Sequence, residues 1–167
     1  MLIFYDYYKK PDELPNYKER YDLMKGLTEI FPQDFIDYTP IINYIKKSTL
    51  SINYARFVKG ERWLEAEPYI IEPYQIIYYA AFVIHGRWFE KESLMFRNSY
   101  ATFRYAREVI GERWLEAEPF IMKDAESAFY YAYYVIKDKW LEAEQYISQN
   151  DYWWDEYNIH ILDKGQQ

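Results

Sequence analysis

Four tryptophans divide most of this chain into near-equal lengths: Trp63, Trp88, Trp114 and Trp140, separated by 25, 26 and 26 residues. Each lies inside a copy of one phrase: GERWLEAEPYI at 60–70, GRWFEKESLMF at 86–96, GERWLEAEPFI at 111–121 and DKWLEAEQYI at 138–147. A fixed period of this length marks a repeat architecture, because one unit cannot bury its apolar face until a neighbour stacks on it. What recurs in every copy is expected to hold neighbours together, and function is to be sought where the copies differ.

Upstream of each Trp, Tyr54, Tyr79, Tyr105 and Tyr131 align, as do Ala55, Ala80, Ala106 and Ala132, and Val58, Val83, Val109 and Val135. Tyr and Val four apart share a helical face, and the small Ala beside them admits a close neighbour. This predicts a long helix of about 12 residues, roughly 18 Å at 1.5 Å per residue. Asn98 and Asp124, seven residues before the aligned Tyr, suit N-caps, Pro73 suits a first helical position, and Ser48 serves the first copy. Gly60, Gly86 and Gly111 suit left-handed helix ends, a place that Asp138 or Lys137 takes in the fourth copy. Trp then opens a short helix of about eight residues, with Pro68 and Pro119 in or near its first turn.

Adding 26 to Tyr131 gives Tyr157, and Asn150 stands seven before it. The chain is therefore expected to close on a fifth long helix without a short one, with Asn158 at the Ala position and polar residues covering the end. The fold class follows as all-α: a short right-handed α-solenoid of helix-turn-helix repeats with a small N-terminal cap. The boundaries are 1–38 for the cap and 39–167 for the repeats. The units lie near 48–71, 72–96, 98–122 and 124–149, and the closing helix is 150–165.

The recurring charges look most like chemistry. Glu65, Glu90, Glu116 and Glu142 recur, as do Glu67, Glu92, Glu118 and Glu144, and a base precedes each Trp: Arg62, Arg87, Arg113 and Lys139. Paired carboxylates serve metals or acid–base catalysis. Yet residues two apart on a helix do not face each other, and His85 and His160 both lie outside the shared pattern. The expected role is structural, each base pairing with the Glu three residues on or with an acid of the adjacent repeat. No catalytic residue, metal site or cofactor is assigned, and no phosphate loop or nucleophile elbow is present.

The copies differ on another surface of the long helix. One aligned position holds Asn53, Tyr78, Arg104 and Tyr130; three later stand Arg56, Ala81, Arg107 and Tyr133; four later stand Phe57, Phe82, Glu108 and Tyr134. These spacings put each trio on one face, of types enriched at binding hot spots. The candidate partner-binding residues are Arg56, Phe57, Tyr78, Phe82, Arg104, Arg107, Tyr130, Tyr133 and Tyr134; the competing reading is that these aromatics pack under neighbouring helices. The second copy also breaks the short phrase, with Phe89 for Leu, Lys91 for Ala and Ser93 for Pro.

Composition narrows the functional classes. Aromatic residues make up 22%, including 21 Tyr, which suit half-exposed faces because the ring can be buried while the hydroxyl stays bonded. The absence of cysteine excludes disulfides and thiolate chemistry. No signal-peptide pattern or apolar run of roughly 18 to 20 residues appears, so a cytoplasmic chain without membrane contact is expected. The net charge of −7 disfavours nucleic acid, leaving stacking on Tyr beside Arg56, Arg104 and Arg107 as a minor route.

The phrase [YF]AxxVIxGRWxEAEPxI, carried best by 111–121 and covering about 48–165, resembles a short helical repeat of uncharacterised tailed-bacteriophage and large-virus proteins. Leu64 and Leu115 stand where that repeat often has Pro. The resemblance brings no activity and no functional residues. It implies a phage-encoded protein of the host cytoplasm that binds a host or phage protein. The expected function is a non-enzymatic protein–protein interaction module, a modulator or inhibitor of a host factor or defence system. The alternative is a self-assembling structural component forming a homo-oligomer, and the third reading is an enzyme using the Glu ladder.

Overall fold

A computed structural model describes residues 50–163. The expected N-terminal cap, the Ser48 cap and the last residues of the closing helix lie outside the described residues. Within them the chain is all-α, with eight α-helices and no strand. They are α1 (Leu50–Asn53), α2 (Pro73–Tyr79), α3 (Phe89–Met95), α4 (Ser99–Tyr105), α5 (Glu118–Ile121), α6 (Ala125–Tyr131), α7 (Leu141–Ile147) and α8 (Asp151–Tyr157).

The long helices are α1, α2, α4, α6 and α8, and each runs on without a break into a π-helical turn: Tyr54–Lys59, Ala80–Ile84, Ala106–Ile110, Ala132–Ile136 and Asn158–Leu162. The helical stretch from Pro73 to Ile84 thus has the expected 12 residues, but its last turn is wider than expected. In the inner units the recurring alanine supplies the carbonyl that closes that turn: Gly60, His85, Gly111 and Lys137 each donate N–H to the Ala five residues back. Those four residues are left-handed, with φ of 69°, 59°, 77° and 62°. Gly86 is not the end residue, because the end falls six residues after the aligned tyrosine in every copy, and in the second that is His85.

The starts follow sequence chemistry. The side chains of Asn98, Asp124 and Asn150 accept from the backbone N–H three residues on, and Pro73 opens α2. Proline also sets the short elements. Where the phrase has Ser93 or Gln145, a seven-residue α-helix forms. Where it has Pro68 or Pro119, the missing N–H cannot continue a helix begun at Trp, so a turn is followed by a 3₁₀ segment (Glu67–Tyr69) or the four-residue α5. The expected eight-residue helix is therefore not formed in those two copies.

Successive long helices pack side by side, and the short helices α3, α5 and α7 each lie against their own long helix and the next, so that the main helix contacts stay within a unit or join consecutive units. The buried Ala55, Ala80, Ala106 and Ala132 let these backbones approach, with Trp63, Trp88, Trp114 and Trp140 filling the space between layers. The positions that follow the same register, Ile77, Phe103 and Phe129, are buried, whereas their equivalent on the closing helix is the exposed Asp155. No helix among the described residues is long and apolar enough to cross a membrane.

Candidate interaction surface

The two carboxylates of each phrase have different fates. Glu67, Glu92 and Glu118 are buried, and each takes a two-point ion pair from the base before Trp. Arg62 donates from Nε and Nη2 to Glu67 at 2.8 and 2.8 Å, Arg87 to Glu92 at 2.8 and 2.7 Å, and Arg113 to Glu118 at 2.8 and 2.9 Å. The spacing is five within one copy, which corrects the expected three. The segment between the partners leaves and re-enters helical geometry around Trp, so i,i+3 proximity does not apply.

The neighbouring copy contributes a tyrosine. Trp63, Trp88, Trp114 and Trp140 donate backbone N–H to the hydroxyls of Tyr79, Tyr105, Tyr131 and Tyr157, each at 2.7 Å. Those hydroxyls donate onward to Glu67, Glu92, Glu118 and Glu144 at 3.0 to 3.3 Å. The rings of Tyr79, Tyr105 and Tyr131 also pack on the Trp of their own copies, with centroids 4.8 to 5.4 Å apart. One side chain thus touches two consecutive units. In the fourth copy Lys139 makes no ion pair with Glu144 among the described residues, and only the tyrosine bond remains.

Electrostatics follows the burial. Desolvation pushes the phenols of Tyr79, Tyr105 and Tyr131 well above their usual range, and the neighbouring carboxylates add to it; Tyr157 is pushed up to about 12 for the same reasons. Burial pushes the Glu67 carboxyl up, but the hydrogen bonds from Arg62 and Tyr79 outweigh it and hold it below its usual value. Glu65, Glu90, Glu116 and Glu142 are exposed. The paired acids therefore do not converge on one reacting centre, and no group of three or more potential metal ligands exists among the described residues.

The variable face is continuous across the units. The Arg56 guanidinium lies 4.1 Å from the Phe82 ring centre and 4.7 Å from that of Phe57, and Phe82 stacks on Tyr78. From α4, Arg104 reaches back to Tyr74 and Tyr78 at 5.7 and 6.0 Å, while Phe103 reaches forward to Tyr130 and Tyr134. Arg107 covers Tyr134 at 3.9 Å. Tyr130 meets Trp153, and Tyr133 meets His160, so the row ends on the closing helix.

These side chains differ in what they offer outward. Arg107 and Tyr134 are exposed; Arg56, Phe57, Tyr78, Phe82, Tyr130 and Tyr133 are half-buried. Arg104 is only 7% exposed and bonds Glu108 with both Nε and Nη2, at 2.6 and 3.0 Å. The aromatics of this face thus pack against neighbouring helices, while Arg107 and Tyr134 face solvent. Tyr74, Tyr100, Phe103, Phe129 and Trp153 also belong to the row; the first four stand four residues from a candidate residue, which is a sequence signal, whereas Trp153 on the last helix has none. An open cleft of about 520 Å³ lies at its end, lined by Tyr133, Tyr134, Lys137, Lys139 and His160 among others.

No protein-family model, curated protein or solved structure matches this chain.

Proposed function

We propose that this protein is a non-enzymatic interaction module whose partner docks on the aromatic and arginine face of the long helices. The observation that carries this reading is the row's continuity from Arg56 to His160, with Arg107 and Tyr134 exposed along it. Tyr and Arg present large contact areas and charge-assisted donors, and few side chains lose freedom because neighbouring rings already hold them. The buried Glu of each of the first three copies is held by the Arg of its own copy and by the Tyr of the next, which leaves little for an enzyme built on the Glu ladder. The resemblance of the phrase to phage repeats favours a viral protein acting in a host, with a host factor or defence component as partner.

Self-assembly is the second reading. Open-ended stacking would need an apolar residue at the forward position of the closing helix, and Asp155 stands there exposed. The test is to express the tagged full chain in a bacterial host and identify what co-purifies, beside an Arg107→Glu/Tyr134→Ala variant. A stoichiometric protein lost in the variant supports the reading. The same protein retained by the variant refutes the face, and recovery as a defined homo-oligomer in sedimentation favours self-assembly.

A further inference from the structure

One recurring position takes no part in holding the units together. The residue after each Trp is Leu64, Phe89, Leu115 or Leu141, and these are 64%, 68%, 64% and 70% exposed. Single exposed apolar residues are ordinary. The same position left apolar and bare in every copy is not scatter. The next residue in each copy is an exposed carboxylate: Glu65, Glu90, Glu116 or Glu142.

The row is continuous across units. The acid of one copy acts electrostatically on the base of the preceding copy: Glu90 on Arg62, Glu116 on Arg87 and Glu142 on Arg113. The Arg87 guanidinium lies over Phe89 and also reaches the Trp114 ring of the next copy. Because each of these arginines is already bound at two points to a buried Glu, the row is left with an apolar residue and a carboxylate per unit.

We propose that this row is a second docking surface, and that its occupant is a basic amphipathic helix of a partner protein. Two observations and the general dimensions of packed helices select that occupant. The exposed carboxylates ask for Lys or Arg. The row offers side chains but no exposed sheet edge, so a segment needing main-chain partners gains little, whereas a helix satisfies its own backbone. Packed helices lie about 8–10 Å apart, and seven residues of helix advance about 10.5 Å. Apolar residues at every seventh position, with basic residues between, therefore match the row over its four copies.

The probe is a labelled synthetic peptide of roughly 22 residues, Leu at every seventh position and Lys on the flanks, titrated against the full chain by fluorescence anisotropy. Binding should weaken at least tenfold for a Leu64→Ser/Phe89→Ser/Leu115→Ser/Leu141→Ser variant. It should weaken similarly, with loss of salt dependence, for Glu65→Gln/Glu90→Gln/Glu116→Gln/Glu142→Gln. A peptide with Glu for Lys, or with central prolines, should not bind. The single Leu115→Ser variant, expected to lose about threefold, stands in if the fourfold change disturbs the circular dichroism of the chain. Unchanged affinity in the apolar variants overturns the proposal, as does equal binding of the proline peptide. The Arg107→Glu/Tyr134→Ala variant should bind the peptide normally; loss there would place the peptide on the other face.

Discussion

Tyr105→Phe is the cleanest probe of what joins the units. The substitution keeps the ring that packs on Trp114 and removes one oxygen. That oxygen accepts from the Trp88 N–H at 2.7 Å and donates to Glu92 at 3.3 Å. Both groups are buried, and a buried donor left without a partner costs about 1–3 kcal/mol. Glu92 keeps both bonds from Arg87, and its lost bond is long, so that part adds little. A loss of about 2 kcal/mol is expected, or roughly 4–8 °C in Tm for a chain of this size. The position is central, so neither neighbouring unit can compensate. Urea unfolding followed by tryptophan fluorescence measures it, with the exposed Tyr152→Phe as a control that should change stability by less than about 0.5 kcal/mol. A loss below about 0.5 kcal/mol for Tyr105→Phe would refute the hydrogen-bonded junction and leave ring packing as the only link.

Lys139→Arg should rebuild the ion pair that the fourth copy lacks, raising stability by up to about 1 kcal/mol in thermal unfolding, and Glu144→Gln should cancel the gain. Lys137→Gly should relieve a left-handed non-glycine residue and stabilise by about 1 kcal/mol, whereas Gly111→Ala should cost about as much; open space surrounds Gly111, so backbone strain alone acts there. Stability should fall steeply in alkali. The phenols of Tyr79, Tyr105, Tyr131 and Tyr157 are raised in the folded state, so each contributes fully below about pH 10 and is lost as pH climbs toward its folded value, at about 1.4 kcal/mol per pH unit. Phenolate absorbance should then rise together with the loss of helicity, and independent titration before unfolding would contradict it. Asp155→Phe should restore the apolar forward position and give concentration-dependent association in sedimentation.

The period alone placed the long helices, their Asn98, Asp124 and Asn150 caps and the closing helix, because those depend on local chemistry repeated at fixed spacing. The left-handed end at His85 is countable from Tyr79, although residue type alone points to the neighbouring Gly86. The five-residue Arg–Glu pairing was not legible, since it depends on how far the chain departs from a helix at Trp. The tyrosine junction was hidden for another reason: its Glu partners lie 12 to 13 residues away and its Trp partners 16 to 17 residues away, in the preceding unit. Arg104 shows the same limit on the candidate face. Its partner Glu108 belongs to the same trio, four residues on, but its burial depends on packing between neighbouring helices.

Recurrence and exposure must therefore be judged together. Trp, Ala and the junction Tyr recur and are buried, as is the second Glu of the phrase in the first three copies, and each touches a neighbouring unit or fills the space between. The apolar residue after Trp and the first Glu recur in the same phrase and yet face solvent. A purely structural repeat has no use for the second class: replacing Leu115 by a polar residue would bury less apolar area by almost nothing. Its persistence alongside the junction residues is what the proposed docking row requires, the same contact offered four times in a row. Fourfold repetition of a weak contact at fixed spacing raises the overall affinity for a ligand of matching periodicity well beyond any single contact. On this molecule the variable face would set which partner is chosen, and the repeated row would reward a partner long and regular enough to span the units.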